Sequence, residues 1–161
     1  MKPKHSGFTL IELMVVVALI AIIATIAVPG FRSLIESNRF TSTTNNVLGL
    51  LNYARSEAVR RGEPVALRAM NGDLQNGLEV LLERQLGEVD PQILRAADPM
   101  PGSVTLTMIN GEIPVFRGNG EKRDFDPTEF RVCPGNGKPG VDIVINRGGQ
   151  ANRSQTEPAC S

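Results

Sequence analysis

One histidine, one tyrosine, two cysteines and no tryptophan make a thin stock of reactive and aromatic side chains for 161 residues. The histidine is His5, ahead of everything that reads as folded. A Ser-His-Asp or Cys-His site needs an imidazole inside the fold, and a zinc site takes several His, Cys or carboxylate ligands. Neither can be assembled from the His and Cys present. Aspartate and glutamate are plentiful, but no pair stands apart by its spacing as carboxylate catalysis requires. The chain is therefore expected not to be an enzyme and to hold no cofactor and no metal. An excess of one charge is missing too. Seventeen basic residues balance seventeen acidic ones, so no overall field recruits nucleic acid or an anionic surface, and such a partner would need a local patch. The length suits one globular domain plus an appendage.

What is present begins near the N-terminus. From Phe8 to Val28 the chain is apolar except for Thr9, Glu12 and Thr25. As a helix this run is about 30 Å long, the hydrocarbon thickness of a bilayer. Lys2, Lys4 and His5 precede it, which leaves the N-terminus cytoplasmic and sends everything after Pro29 across. A secretory signal peptide or a plain membrane anchor has the same outline, but in a signal peptide the cleavage site follows the apolar run. Here small residues, Ser6-Gly7, come before it, and the run itself contains Glu12. A carboxylate at mid-membrane costs about 2.5–3.5 kcal/mol and so usually has a partner. Cleavage after Gly7 would supply one, because the freed α-amino group of Phe8, with a reference pKa of about 7.7–8.0, is largely cationic near neutral pH. Glu12 can fold back on its own terminus or neutralise that of a packed neighbour. The second arrangement also sets axial register between subunits.

The string Gly7-Phe8-Thr9-Leu10-Ile11-Glu12 resembles the prepilin peptidase site of the type IV pilins and type II secretion pseudopilins. The resemblance implies a leader of residues 1–7 cleaved between Gly7 and Phe8, N-methylation of Phe8, and a role for Glu12 in assembly. Pro29 falls where many of these proteins carry a helix-bending proline. Lacking an amide proton and crowding the preceding turn, it predicts a bend or local unwinding near Val28.

Beyond Pro29-Gly30 the text is amphipathic to about Arg61, where Gly62 and Pro64 stop the helix. Val47, Leu51, Ala54 and Ala58 share one face and are expected to bury against a sheet, with Arg55, Arg60 and Arg61 toward solvent. The Ser-, Thr- and Asn-rich run 37–46 weakens an isolated helix and reads as a stretch that bends or unwinds when subunits pack. After Glu63 short β-prone pieces follow, with strands expected over 65–70, 78–82, 104–109, 113–117, 129–133 and 141–146. Asn110-Gly111 is the strongest hairpin signal, and 83–101 reads as a long loop. The fold class is α+β. A long helix, membrane-spanning over 8–28 and amphipathic to about 61, belongs with an antiparallel sheet over 64–161, and 29–161 forms a periplasmic head.

The helix end Leu51-Asn52-Tyr53-Ala54-Arg55-Ser56-Glu57-Ala58-Val59-Arg60-Arg61, the turn Val115-Phe116-Arg117-Gly118-Asn119-Gly120 and the closing Ile143-Val144-Ile145-Asn146-Arg147-Gly148-Gly149 are similar to the GspH/FimT group, closest to FimU-like minor pilins. That resemblance implies a low-copy subunit that primes assembly at the tip of a type IV pilus. Pseudopilin H of a type II secretion system is the alternative. The implied partners are other minor pilins and the major pilin, the prepilin peptidase, an inner-membrane assembly platform, and the lipid bilayer before assembly. The protein is then a single-pass inner-membrane protein that moves to the pilus tip.

Cys133 and Cys160 both lie in the translocated part, where an oxidising compartment permits a disulfide, the alternative being two free thiols. Some FimT-type pilins bind DNA for natural transformation through Gly-Arg-x-Arg in the tail. Here Gly149-Gln150-Ala151-Asn152 has lost both arginines, and Arg147 and Arg153 remain as a weak pair of candidate phosphate contacts without an aromatic stacking partner. DNA is not an expected partner. Asp124, Asp126 and Glu129 could start a calcium site, but a polar loop explains them as well. The glycines of 134–140 read as a tight turn.

Overall fold

The computed structural model describes residues 8–135, 137–156 and 158–160. They divide into two compact units, Met1–Ser37 and Asn38–Ser161. One helix, α1 (Leu10–Arg61), contributes to both. Strands β1 (Val65–Ala69), β2 (Leu78–Leu82), β3 (Ile93–Ala96), β4 (Thr105–Asn110), β5 (Val115–Phe116), β6 (Thr128–Cys133), β7 (Val141–Ile145) and β8 (Ala151–Arg153) all fall in the second.

The strands form two antiparallel four-stranded sheets, in the orders β3-β2-β1-β5 and β4-β6-β7-β8. β1 and β2 are an adjacent hairpin, Val65 opposite Leu82 and Ala69 opposite Leu78, joined through short 3-10 turns in which Asp73 accepts a hydrogen bond from the Gln75 amide. Asn110-Gly111 does turn the chain, but not into a hairpin. β4 pairs with β6 and β5 pairs with β1, so the turn carries the chain from one sheet to the other. The local turn chemistry was legible, whereas strand pairing depends on residues far along the chain. Two strands appear where none was expected, β3 within 83–101 and β8 in the tail; both are short and lie at sheet edges.

The core gathers residues of α1 and both sheets. Val47, Leu51, Ala54 and Ala58 are fully buried, as the helical spacing predicted, and they pack with Val65, Val80, Phe116, Phe130, Ile143 and Ile145. β6 alternates buried and half-buried residues along its length, which is the pleat of a half-covered sheet. Burying a side chain of this size contributes roughly 1.5–3 kcal/mol.

α1 is helical without interruption through Pro29 and through the polar run 37–46, so neither stretch is unwound. In the polar run Thr43 and Thr44 are buried, and the Thr44 hydroxyl donates to the Phe40 carbonyl at 2.9 Å. That bond satisfies a buried hydroxyl within the helix.

Candidate functional site

The first turn of α1 is closed by its own side chains. The Thr9 amide and hydroxyl both donate to a Glu12 carboxylate oxygen, at 3.1 and 3.0 Å. The Glu12 amide donates back to the Thr9 hydroxyl at 3.3 Å. This is a capping box, Thr at the cap and Glu at the third helical position, and it satisfies amides that have no partner within the helix. From Phe8 to Val28 nearly every side chain is exposed, Phe8 by 80% and Ile23 by 64%. The helix is long and apolar enough to cross a membrane. Gly7 and the rest of the leader lie outside the described residues.

At the other end of α1, Glu57 is almost wholly buried. It holds two arginines, Arg60 and Arg61, which themselves lie toward solvent as the helical spacing predicts. Arg60 Nε donates to Oε2 at 2.9 Å, and Arg61 Nε donates to Oε1 at 2.6 Å. The hydrogen bonds from Arg60, then those from Arg61, lower the Glu57 pKa to about 2 against the opposing effect of burial. Arg55 is also engaged, donating from Nε to the Gly120 carbonyl at 3.0 Å. The three- and four-residue spacing of the Glu57 pairs was visible in sequence; the burial that gives them weight was not.

Cys133 and Cys160 form a disulfide with Cα atoms 5.8 Å apart. Gly140 lies against both sulfurs, and a Cβ there would sit 2.6 Å from Cys160 Sγ and 2.5 Å from the Val132 carbonyl. Bridge and glycine together hold the C-terminal segment beside β6.

Arg147 and Arg153 are both committed within the head. The Arg147 guanidinium lies 4.1 Å from the centre of the Phe125 ring, and Arg153 donates to Asn45 Oδ1 at 2.6 Å. An aromatic partner for Arg147 therefore exists, contrary to the reading from sequence, because the fold returns 22 residues later to the same place. Asp124, Asp126 and Glu129 do not converge. Among the described residues no group of three such side chains is placed to hold a metal. A cavity of about 210 Å³ beside α1 includes Arg39, Asn46, Asp98 and Met100 in its lining and offers no convergent set of reactive groups.

A long N-terminal helix with an exposed apolar start, covered further along by antiparallel sheets, is the pilin fold. The crystal structure of the type IV minor pilin FimU from Pseudomonas aeruginosa matches it with a TM-score of 0.66 and 23% identity, over 78% of this chain and 96% of that one. The minor pseudopilin EpsH of the Vibrio cholerae type 2 secretion system matches with a TM-score of 0.55 and 13% identity, over 72% and 96%; both show the fold alone. In sequence, residues 43–149 match the family model of type II transport protein GspH, and residues 2–28 match the prokaryotic N-terminal methylation motif. A fimbrial protein of P. aeruginosa is 31% identical over 108 residues, 67% of this chain and 70% of that protein. The chain belongs to the GspH family of pilin-like structural subunits.

Proposed function

We propose that this subunit is a minor pilin that primes assembly at the tip of a type IV pilus, acting mechanically and not as an enzyme. The observation that carries the reading is the start of α1. Glu12 is the one charge in an exposed apolar run, and its carboxylate is held by Thr9 with no cation beside it among the described residues. A carboxylate accepts several hydrogen bonds, so acceptor capacity is left for a charge brought by another chain. Cleavage between Gly7 and Phe8, followed by N-methylation of Phe8, makes such a charge. On this reading residues 8–28 anchor the protein in the inner membrane and 29–161 form a periplasmic head, with Pro29 marking a bend in the helix. The disulfide suits that oxidising side. The partners are other minor pilins and the major pilin, after the prepilin peptidase and the assembly platform have acted.

N-terminal analysis of protein recovered from cells, for wild type and Glu12→Val, tests this. The expected result is methylated Phe8 at the start of both, with the variant missing from sheared filaments. A start at Met1, or normal incorporation of the variant, would refute the proposal.

The alternative, pseudopilin H of a type II secretion system, is favoured by the description of the matching family. Deleting the gene separates the two, since loss of surface filaments supports the first and loss of protein export the second. A DNA receptor is the third reading. It requires a duplex gel shift that disappears when Arg147 and Arg153 are changed to Ala, and unshifted DNA at low salt removes it.

A further inference from the structure

We propose that the part of the head where Glu112, Asp124, Phe125, Asp126 and Arg147 are brought together is a docking face for a basic protein surface that carries a pocket for an aromatic ring. The pieces come from three places in the chain, and the fold joins them. A Cβ on Gly111 would lie 2.8 Å from the Pro127 carbonyl, and the Thr128 hydroxyl donates to the Glu112 carbonyl at 2.9 Å, so the turn after β4 rests on the loop before β6. The Lys122 amide donates to the Arg147 carbonyl at 3.0 Å, and the Arg147 guanidinium covers one side of the Phe125 ring.

Phe125 is 66% exposed, the only exposed aromatic side chain among the described residues of Asn38–Ser161. Single exposed aliphatics need no explanation. An exposed aromatic ring covered on one side by a guanidinium, with Pro127 two residues on, is different, because much of the ordering that docking would require is already done. Aromatic and arginine side chains are also the residues on which interface energy concentrates.

The charges around that ring choose the partner. Glu112, Asp124 and Asp126 close no salt bridge among the described residues. Arg123, the nearest arginine in sequence, is already bound to Glu83. Against these three carboxylates stand two cations, Arg147, turned onto the ring, and Lys122, buried with its amine on the Thr128 hydroxyl. The patch is therefore acidic around an apolar centre, which repels nucleic acid and anionic lipid and steers a surface rich in lysine and arginine. The proposal rests on the filament reading only in expecting that surface to belong to another pilin-like subunit.

The test uses the full-length protein in its own cells, with a benzophenone amino acid at position 125 and, as a control, at the fully exposed Val89. The expected result is a photo-adduct from position 125 alone, joined to a different pilin-like subunit at a peptide bearing lysine or arginine. Most of that adduct should be lost when Asp124→Asn and Asp126→Asn are combined, and when membranes are irradiated at high salt. Adducts only with a second copy, with lipid or nucleic acid, or equal to those from Val89 would overturn the proposal, as would no adduct from protein that is present in filaments. The last outcome leaves the minor-pilin reading standing. A basic partner captured by protein that never enters filaments would support the docking face and remove that reading.

Discussion

Residues 10–37 and 38–61 belong to the same helix, yet their side chains behave in opposite ways. In the first part aliphatic residues lie open, Ile20 by 59% and Ile26 by 76%; in the second Val47, Leu51, Ala54 and Ala58 are fully covered. Helix propensity does not separate them, because the exposed part is the more apolar of the two and the covered part contains a run of Ser, Thr and Asn. The difference lies in what each part meets. The second part buries its apolar stripe against both sheets of its own chain, whereas the first leaves its apolar surface uncovered.

The largest expected effect follows from that contrast. Phe130→Ala empties a fully buried site and should lower head stability by about 3–5 kcal/mol in denaturant unfolding of a fragment from Asn38 onward. Ile20→Ala in the full chain should leave the head's unfolding unchanged, and a comparable loss from both would erase the distinction between the regions.

Next comes the disulfide. Cys133→Ser with Cys160→Ser opens a loop whose ends are 27 residues apart and should cost about 3.5 kcal/mol in the chain-entropy model. The measurement is the shift in urea midpoint, and an unchanged midpoint would show that the tail adds nothing to the head.

A smaller effect attends Glu57. Its pKa is lowered from 4.5 to about 2 in the folded head, so its contribution is fully present above about pH 4.5 and is lost as pH falls toward 2. Glu57→Gln should cost about 1–2 kcal/mol at neutral pH, moderated because Arg60 is largely solvated. It should also flatten the decline in stability across that acid window.

The smallest expected change is in the exposed apolar start of α1. Thr9→Val removes the capping oxygen and should cost about 1 kcal/mol of local helix stability, read as faster amide exchange over residues 10–13 in detergent while the head is unaffected.

Parts of this were legible from short-range pattern. The four-residue and three-residue steps of Val47, Leu51, Ala54 and Ala58 gave the buried helix face, and alternation with turn residues placed β1, β2, β4, β6 and β7 within a residue or so at most ends. β3 and β8 escaped because edge strands of three or four residues carry too little period-two signal, and their partners are supplied by the sheet. The Asn110-Gly111 turn was right as a turn and wrong as a hairpin. Of the candidate site residues, Glu12 and the cysteines were visible from charge context and count, while the stacking of Arg147 on Phe125 was not, since neither residue marks the other at a distance of 22 positions.

The sequence by itself determined that this protein has an apolar N-terminal helix with one embedded carboxylate and a small α+β head without imidazole chemistry. Those properties follow from residue type and near-neighbour spacing. Only the tertiary structure decided that the strands divide into two sheets, that Glu57 is buried with two arginines on it, and that Arg147 covers the exposed ring of Phe125. Each of these depends on which distant segments come into contact, and burial and pairing energies are defined only once those contacts exist.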